Sequence, residues 1–240
     1  MAWRPFNPEK PEGIHVYIIK GDPSKGAFSA LVKMPPGAKA PLHIHSADYV
    51  GVSLTDGFVS GADEATAAML PKFSSWVQPG GASHFNACQS EAPCVFMVSF
   101  KGAVDMKPVE AAVEGTFEKK ETAGDAIPWK VVREGMENSP KMFVIHGNPK
   151  EGAFEAIFWF PPGMSTNIHT HSASFAAAVL QGEHHRGESA EAVKALGPGS
   201  VWHEVAGSPH MEKCAGPEAC IFAVSFDGPL DTQNVELTTE

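Results

Sequence analysis

The chain repeats itself at a fixed distance. Pro35-Pro36-Gly37 followed by His43-Ile44-His45 recurs as Pro161-Pro162-Gly163 followed by His169-Thr170-His171, an offset of 169 − 43 = 126 residues. The same offset carries Trp3 onto Trp129, Gly26-Ala27-Phe28 onto Gly152-Ala153-Phe154, Trp76 onto Trp202 and Ser99-Phe100 onto Ser225-Phe226. It also carries Gly81 onto Gly207, His84 onto His210, Cys88 onto Cys214 and Cys94 onto Cys220. A constant offset without a gap over nearly the whole chain reads as an internal duplication. The division that follows is a first unit over 1–106, a connecting stretch over 107–127 and a second unit over 128–240. Each unit is long enough to hold a hydrophobic core of its own.

Within a unit the pattern is strand after strand. In the first, Val16 to Ile19, Phe28 to Met34, Tyr49 to Leu54, Ser75 to Gln78 and Cys94 to Phe100 are rich in β-branched and aromatic residues. The second repeats them at Phe143 to His146, Phe154 to Phe160, Phe175 to Leu180, Val201 to Val205 and Cys220 to Phe226. Pro-Pro-Gly, Asp56-Gly57, Pro79-Gly80-Gly81 and Gly197-Pro198-Gly199 separate them as turns, in a chain with 23 Gly and 20 Pro. Short, evenly spaced strands without helical periodicity predict an all-β sandwich or small barrel per unit. Helix competes in Gly61 to Leu70, and Val109 to Lys120 reads equally as a short helix or an extended strap.

The formal charge of −10, with Lys and Arg scattered, offers no basic stripe for nucleic acid. No apolar run approaches the roughly 20 residues that span a bilayer, so no membrane partner is expected. The first ten residues lack the apolar core of a secretory signal, which points to the cytoplasm; an exported protein stripped of its signal reads the same way.

Six histidines carry the chemistry. Strand alternation turns His43 and His45 to one face, and His169 and His171 likewise, each pair forming a two-imidazole clamp. His84 and His210 each follow a Gly-containing turn, Pro79-Gly80-Gly81-Ala82-Ser83 and Ala206-Gly207-Ser208-Pro209, from which a strand can bring a third nitrogen beside the clamp. Gly37 with His43-Ile44-His45, then Pro79-x-Gly81-x-x-His84, resemble the two signature motifs of the cupin superfamily, and Gly163, His169, His171, Gly207 and His210 repeat them. The resemblance spans almost the whole chain, so the protein resembles a bicupin; its copy ends, as in His210-Met211-Glu212-Lys213-Cys214, are similar to a functionally uncharacterised bacterial branch. It implies two tandem double-stranded β-helix, or jelly-roll, barrels, each with one metal held by His43, His45 and His84 or by His169, His171 and His210.

The sequence departs from the superfamily pattern where a glutamate ligand is usual. Those positions hold Tyr49 and Val50 in copy one and Phe175 and Ala176 in copy two, and Val205 replaces the usual proline of the second motif. The ligand set left is three neutral imidazoles, similar to that of cupin dioxygenases. Such a set leaves the metal its full charge and about three open positions for an anionic, bidentate small-molecule substrate and O₂ or water. Fe(II) is the first choice of cofactor; Zn, Ni or Mn suit the same ligands. The reading is a non-haem iron dioxygenase-type enzyme acting on a small oxygenated or aromatic substrate, with Tyr49 as the catalytic candidate that orients or protonates it. The alternatives are a non-catalytic metal- or small-ligand-binding and sensing bicupin, or a hydrolytic, isomerising or lyase zinc cupin. A homodimer is compatible with either.

The remaining polar residues weigh differently. Asp48 follows His45 by three, but its counterpart is Ser174, so a loop carboxylate is the simpler reading. One of His184 and His185, whose counterparts are Phe58 and Val59, should face the barrel. Cys88 with Cys94 and Cys214 with Cys220 read first as structural thiols and second as disulfides. The Phe158-Trp159-Phe160 cluster predicts a strand buried on both faces, where the barrels would pack together.

Overall fold

The computed structural model describes residues 2–115, 119–135 and 138–235. The chain divides into two compact units, Met1–Ile127 and Pro128–Glu240. Every regular element is a strand, and no helix occurs among the described residues.

In the first unit a seven-stranded antiparallel sheet runs in the order Arg4–Pro5, His15–Gly21, Phe28–Met34, Cys94–Phe100, Tyr49–Ser53, Ser75–Gln78 and Lys120–Thr122. It faces a five-stranded sheet ordered Lys107–Pro108, Lys39–Ile44, His84–Cys88, Phe58–Gly61 and Ala68–Leu70. The second unit repeats this plan at the same offset: Phe154–Phe160 pairs Cys220–Phe226 from Phe154 opposite Phe226 to Phe160 opposite Cys220, as Phe28–Met34 pairs Cys94–Phe100 from Phe28 opposite Phe100 to Met34 opposite Cys94. Its second sheet is divided into His169–Thr170 with Gln233–Asn234, and Lys194–Leu196, His184–Gly187 and Met211–Cys214. Single bridges from Ser165 to Lys213 and from His169 to His210 join the two parts.

The strands are amphipathic at a period of two, and that decides which face is core. Phe28, Ala30 and Met34 turn inward with Phe96, Val98 and Phe100 from the neighbouring strand, and all six are buried. Their counterparts Phe154, Ala156, Phe160, Phe222, Val224 and Phe226 do the same in the second barrel. Phe158 and Phe160 face that core, while Trp159 points the other way, half-buried, under the Lys141 ammonium at 4.4 Å. On that outer face Glu155 and Ile157 are buried as well, so the strand is buried on both faces except at Trp159.

Three sequence expectations are resolved locally. Gly61 to Leu70 makes turns followed by the strand Ala68–Leu70, not a helix, because Asp63 caps a tight turn on Thr66 and the backbone then rejoins the sheet. The 107–127 stretch is a strap: Lys107–Pro108 pairs with Lys39–Ile44, and Lys120–Thr122 with Ser75–Gln78. Residues 116–118 of the helix-or-strap question lie outside the described residues. Both cysteine pairs are disulfides, Cys88 to Cys94 and Cys214 to Cys220, with Cα atoms 5.6 Å apart in each. The first reading as free thiols is thus corrected: the five-residue loops that lead from a strand of one sheet to a strand of the other bring the sulfurs into bonding geometry.

Candidate metal centres

The fold brings the three predicted histidines of each barrel together. One ligand atom from each of His43, His45 and His84 lies within 4.8 Å of the other two, and so does one from each of His169, His171 and His210. His43 stands directly opposite His84 across the strand pair, and His169 bridges to His210. The glycine of each preceding turn fixes that pairing. Gly81 and Gly207 both have φ +78°, in the left-handed region that other residues enter at a cost. There the N–H of Gly81 donates to the His45 carbonyl at 2.8 Å, and that of Gly207 to the His171 carbonyl at 2.9 Å. Each turn is therefore latched to the clamp before its own histidine begins.

Backbone carbonyls set the rings. His43 Nδ1 meets Pro41 O at 2.6 Å, His169 Nδ1 meets Asn167 O at 2.8 Å and His210 Nδ1 meets Ser208 O at 3.0 Å. His45 Nδ1 bonds the Asp105 carbonyl and His171 Nδ1 the Asp231 carbonyl. A carbonyl accepts only, so these five Nδ1 atoms carry the proton and their Nε2 atoms keep a lone pair, whereas His84 Nδ1 is buried with no hydrogen-bond partner. Nε2 of His210 is fully buried with no hydrogen-bond partner. Burial favours the neutral form of five of the rings: His43 and His210 are pushed down to about 4 and His84 to about 2, and His45 and His171 are also lowered. Imidazoles whose ring nitrogens converge within 4.8 Å of one another fit a divalent metal ion.

Asp105 and Asp231 were missed from sequence, although the offset maps one onto the other. Each lies past its barrel's last core strand, and its carboxylate also accepts from the loop after the clamp: Asp105 Oδ1 from Ser46 N at 2.7 Å, Asp231 Oδ1 from Ser172 N at 2.9 Å.

The positions of the missing glutamate do face the centres. Tyr49 is buried, its ring 5.6 Å from His45 and its hydroxyl 3.3 Å from His84 Nε2. Burial pushes its phenol up to about 12, so it is a standing proton donor. Phe175 sits 5.7 Å from His171 without a hydroxyl. Asp48 is turned away, its Oδ1 accepting from Gly80 N at 2.6 Å. Of the unmatched histidines, His184 is wholly buried, stacked on Trp202 at 5.2 Å, and His185 pairs with Glu183 at 2.6 Å.

Each centre opens into a cavity. The first, about 440 Å³, is walled mainly by apolar side chains such as Ile18, Val32, Phe96 and Met106, with His43, His45, Tyr49 and Asn86 among them. The second, about 530 Å³, holds His169, His171 and Phe175 with more polar company, including Arg133, Thr166, Asn167 and Glu212. Burial raises the Glu212 carboxyl, but the facing imidazoles of His184, His210 and His169 outweigh it and bring it down to about 2. Glu212, Arg186 and Glu204 were also missed; their signal was a charge in copy two where copy one has none.

Comparison with known proteins agrees with this architecture. A family model described as a domain of unknown function (DUF4437) matches residues 18–233. No curated protein matches the chain. Among solved structures, AerE from Microcystis aeruginosa superposes with a TM-score of 0.62 at 11% identity, covering 94% of this chain and 96% of its own. Salicylate 1,2-dioxygenase from Pseudoaminobacter salicylatoxidans, solved as adducts with gentisate, gives 0.60 at 12%, covering 88% and 72%. Oxalate decarboxylase from Bacillus subtilis, with Mn(II) centres, gives 0.57 at 12%, covering 92% and 74%. The shared fold is that of two tandem cupin barrels.

Proposed function

Because the chain belongs to the family described as a domain of unknown function (DUF4437), we propose from its own residues that it is a metal-dependent bicupin enzyme. In this reading His43, His45 and His84 hold one divalent ion and His169, His171 and His210 another, with Fe(II) as the first choice. The reaction class is dioxygenase-type, on a small oxygenated or aromatic substrate. The observation that carries the reading is the convergence of three imidazoles in each barrel, most with Nδ1 already engaged by a carbonyl. Such an ion supplies Lewis acidity and open positions for a chelating substrate and oxygen.

The chain's residues supply the rest. The apolar walls of the first cavity exclude water, and Tyr49, protonated through the neutral range, donates a hydrogen bond to a substrate oxygen beside His45 and His84. Phe175 offers shape only, so the two barrels do not act alike. Iron-reconstituted protein should consume oxygen with one class in a panel of diketones, thiols and dihydroxyaromatics, and Tyr49→Phe should slow turnover in the first barrel by about 10²-fold. Full iron loading with no uptake on any class would move the assignment to the second reading, a non-catalytic ligand-binding bicupin. What favours that reading is the Tyr49 hydroxyl resting on His84 Nε2, where it occupies a donor atom.

A further inference from the structure

Four inner-wall positions break the repeat. Phe58, Ser60, Gln78 and Asn86 in the first barrel correspond to His184, Arg186, Glu204 and Glu212 in the second. In the strand pair His184–Gly187 with Met211–Cys214, Arg186 lies directly opposite Glu212 and His184 opposite Cys214, which puts His184, Arg186 and Glu212 on one face, while Glu204 comes from the strand Val201–Glu204 of the other sheet. Glu212 is 7% exposed and lines the second cavity with His169 and His171; Asn86, 8% exposed, lines the first with His43 and His45.

Arg186 is paired with Glu204, so, with Arg133 elsewhere in the same wall, the carboxylate that lines the second cavity beside the histidines is that of Glu212. Its carboxylate stands 3.7 Å from His184 Nε2, beyond hydrogen-bond length, and neither ring nitrogen of His184 has a hydrogen-bond partner. The first barrel meets the same need with neutral groups and one strap cation. Lys119 donates to Ser60 Oγ at 2.7 Å and pairs with Glu121 at 3.1 Å, and no described residue lining that cavity is acidic.

We propose that Glu212 makes the second cavity a site for neutral or cationic ligands that present an N–H or O–H donor beside the three-histidine centre, whereas the first cavity, with Asn86, accepts anions. The inference rests on the metal-site reading given above. A carboxylate as buried as that of Glu212 repels an incoming anion more strongly than it would in bulk water, and it rewards a donor with a charge-assisted hydrogen bond. An amide at Asn86 does neither. One chain would then bind two ligand classes with the same ligand set.

Cobalt(II)-loaded protein tests this, with azide as an anion lacking a donor and imidazole as a neutral ligand carrying an N–H. His171→Ala isolates the first site and His45→Ala the second, and visible absorption of cobalt reads binding. The ratio of azide to imidazole affinity should be about tenfold higher at the first site than at the second. Glu212→Gln should raise azide affinity at the second site by a similar factor, and Asn86→Glu should lower it at the first, so that a folding defect in either variant leaves the other to decide. Equal ratios at the two sites, or a ratio unmoved by both substitutions, would overturn the proposal. Cobalt content of the same samples separates the two levels. Less than one ion per single-site protein sinks the metal reading and this inference with it, while full loading with equal ratios sinks this inference alone.

Discussion

In the first barrel the Trp76 indole is 1% exposed and stacks on Phe58 at 5.0 Å; in the second its counterpart Trp202 is half-buried and stacks on His184 at 5.2 Å. Beneath Trp76 lies Gly51, where a Cβ would collide with the indole ring; the counterpart of Gly51 is Ala177. A methyl group on one strand and an imidazole on another thus accompany a polar, charged interior in the second barrel, against an aromatic one in the first. What repeats faithfully is the part that backbone geometry controls: the histidines, the carbonyls that orient the two clamp histidines, the left-handed glycines and the disulfides. What diverges is the lining, which can change without moving a strand.

The contrast predicts unequal costs. Glu204→Ala would strand the Arg186 guanidinium in a buried site and should destabilise the second barrel by about 3–5 kcal/mol. Gln78→Ala, which removes only the 3.2 Å bond from Gln78 Nε2 to the Ala82 carbonyl, should cost the first about 1–2 kcal/mol. Barrel-resolved hydrogen exchange measures both, and equal losses would mean that the charged network is not what sets the barrels apart. Gly51→Ala should cost the first barrel up to about 3 kcal/mol through overpacking against Trp76, while Ala177→Gly should cost the second only about 1 kcal/mol. Denaturation followed by tryptophan fluorescence decides; a harmless Gly51→Ala would show that Trp76 repacks freely.

A third comparison should come out level. Replacing either cysteine pair by serine opens a loop of the same length and should cost each barrel about 2 kcal/mol, and thiol titration of the unreduced protein should find no free thiol among the four cysteines. The smallest effect is on pH dependence. Each depressed histidine favours the fold while neutral in both states, so its contribution is full above the unfolded value of 6.5 and is lost as pH falls towards the folded one. His84, pushed down to about 2, keeps losing stability below the point where His210, at about 4, has finished. Glu212, brought down to about 2, loses stability over the same range in the second barrel, so the contrast is read in metal-free Glu212→Gln protein, which should lose exchange protection in the first barrel more steeply between pH 4 and pH 3; the reverse order would show that another group governs acid unfolding.

The histidines and the double barrel were legible because strand alternation and the motif turns constrain them locally. His184 was half legible, since alternation required one of His184 and His185 to face inward. The carbonyls of Asp105 and Asp231 were not, because a backbone acceptor leaves no mark on residue type. Glu204 and Glu212 look like ordinary surface acids until the register of strands far apart in sequence places them inside. The strap was ambiguous because Lys107–Pro108 and Lys120–Thr122 are edge strands, whose order comes from the sheets they join and not from their own composition.

Metal content tests the central claim most directly. Reconstituted wild-type protein should hold two divalent ions per chain by elemental analysis, His45→Ala and His171→Ala one each, and the double variant none, with thermal unfolding confirming that each variant is folded. A folded double variant that retains the wild-type metal content, or a wild-type protein that binds no ion at all, would contradict the account.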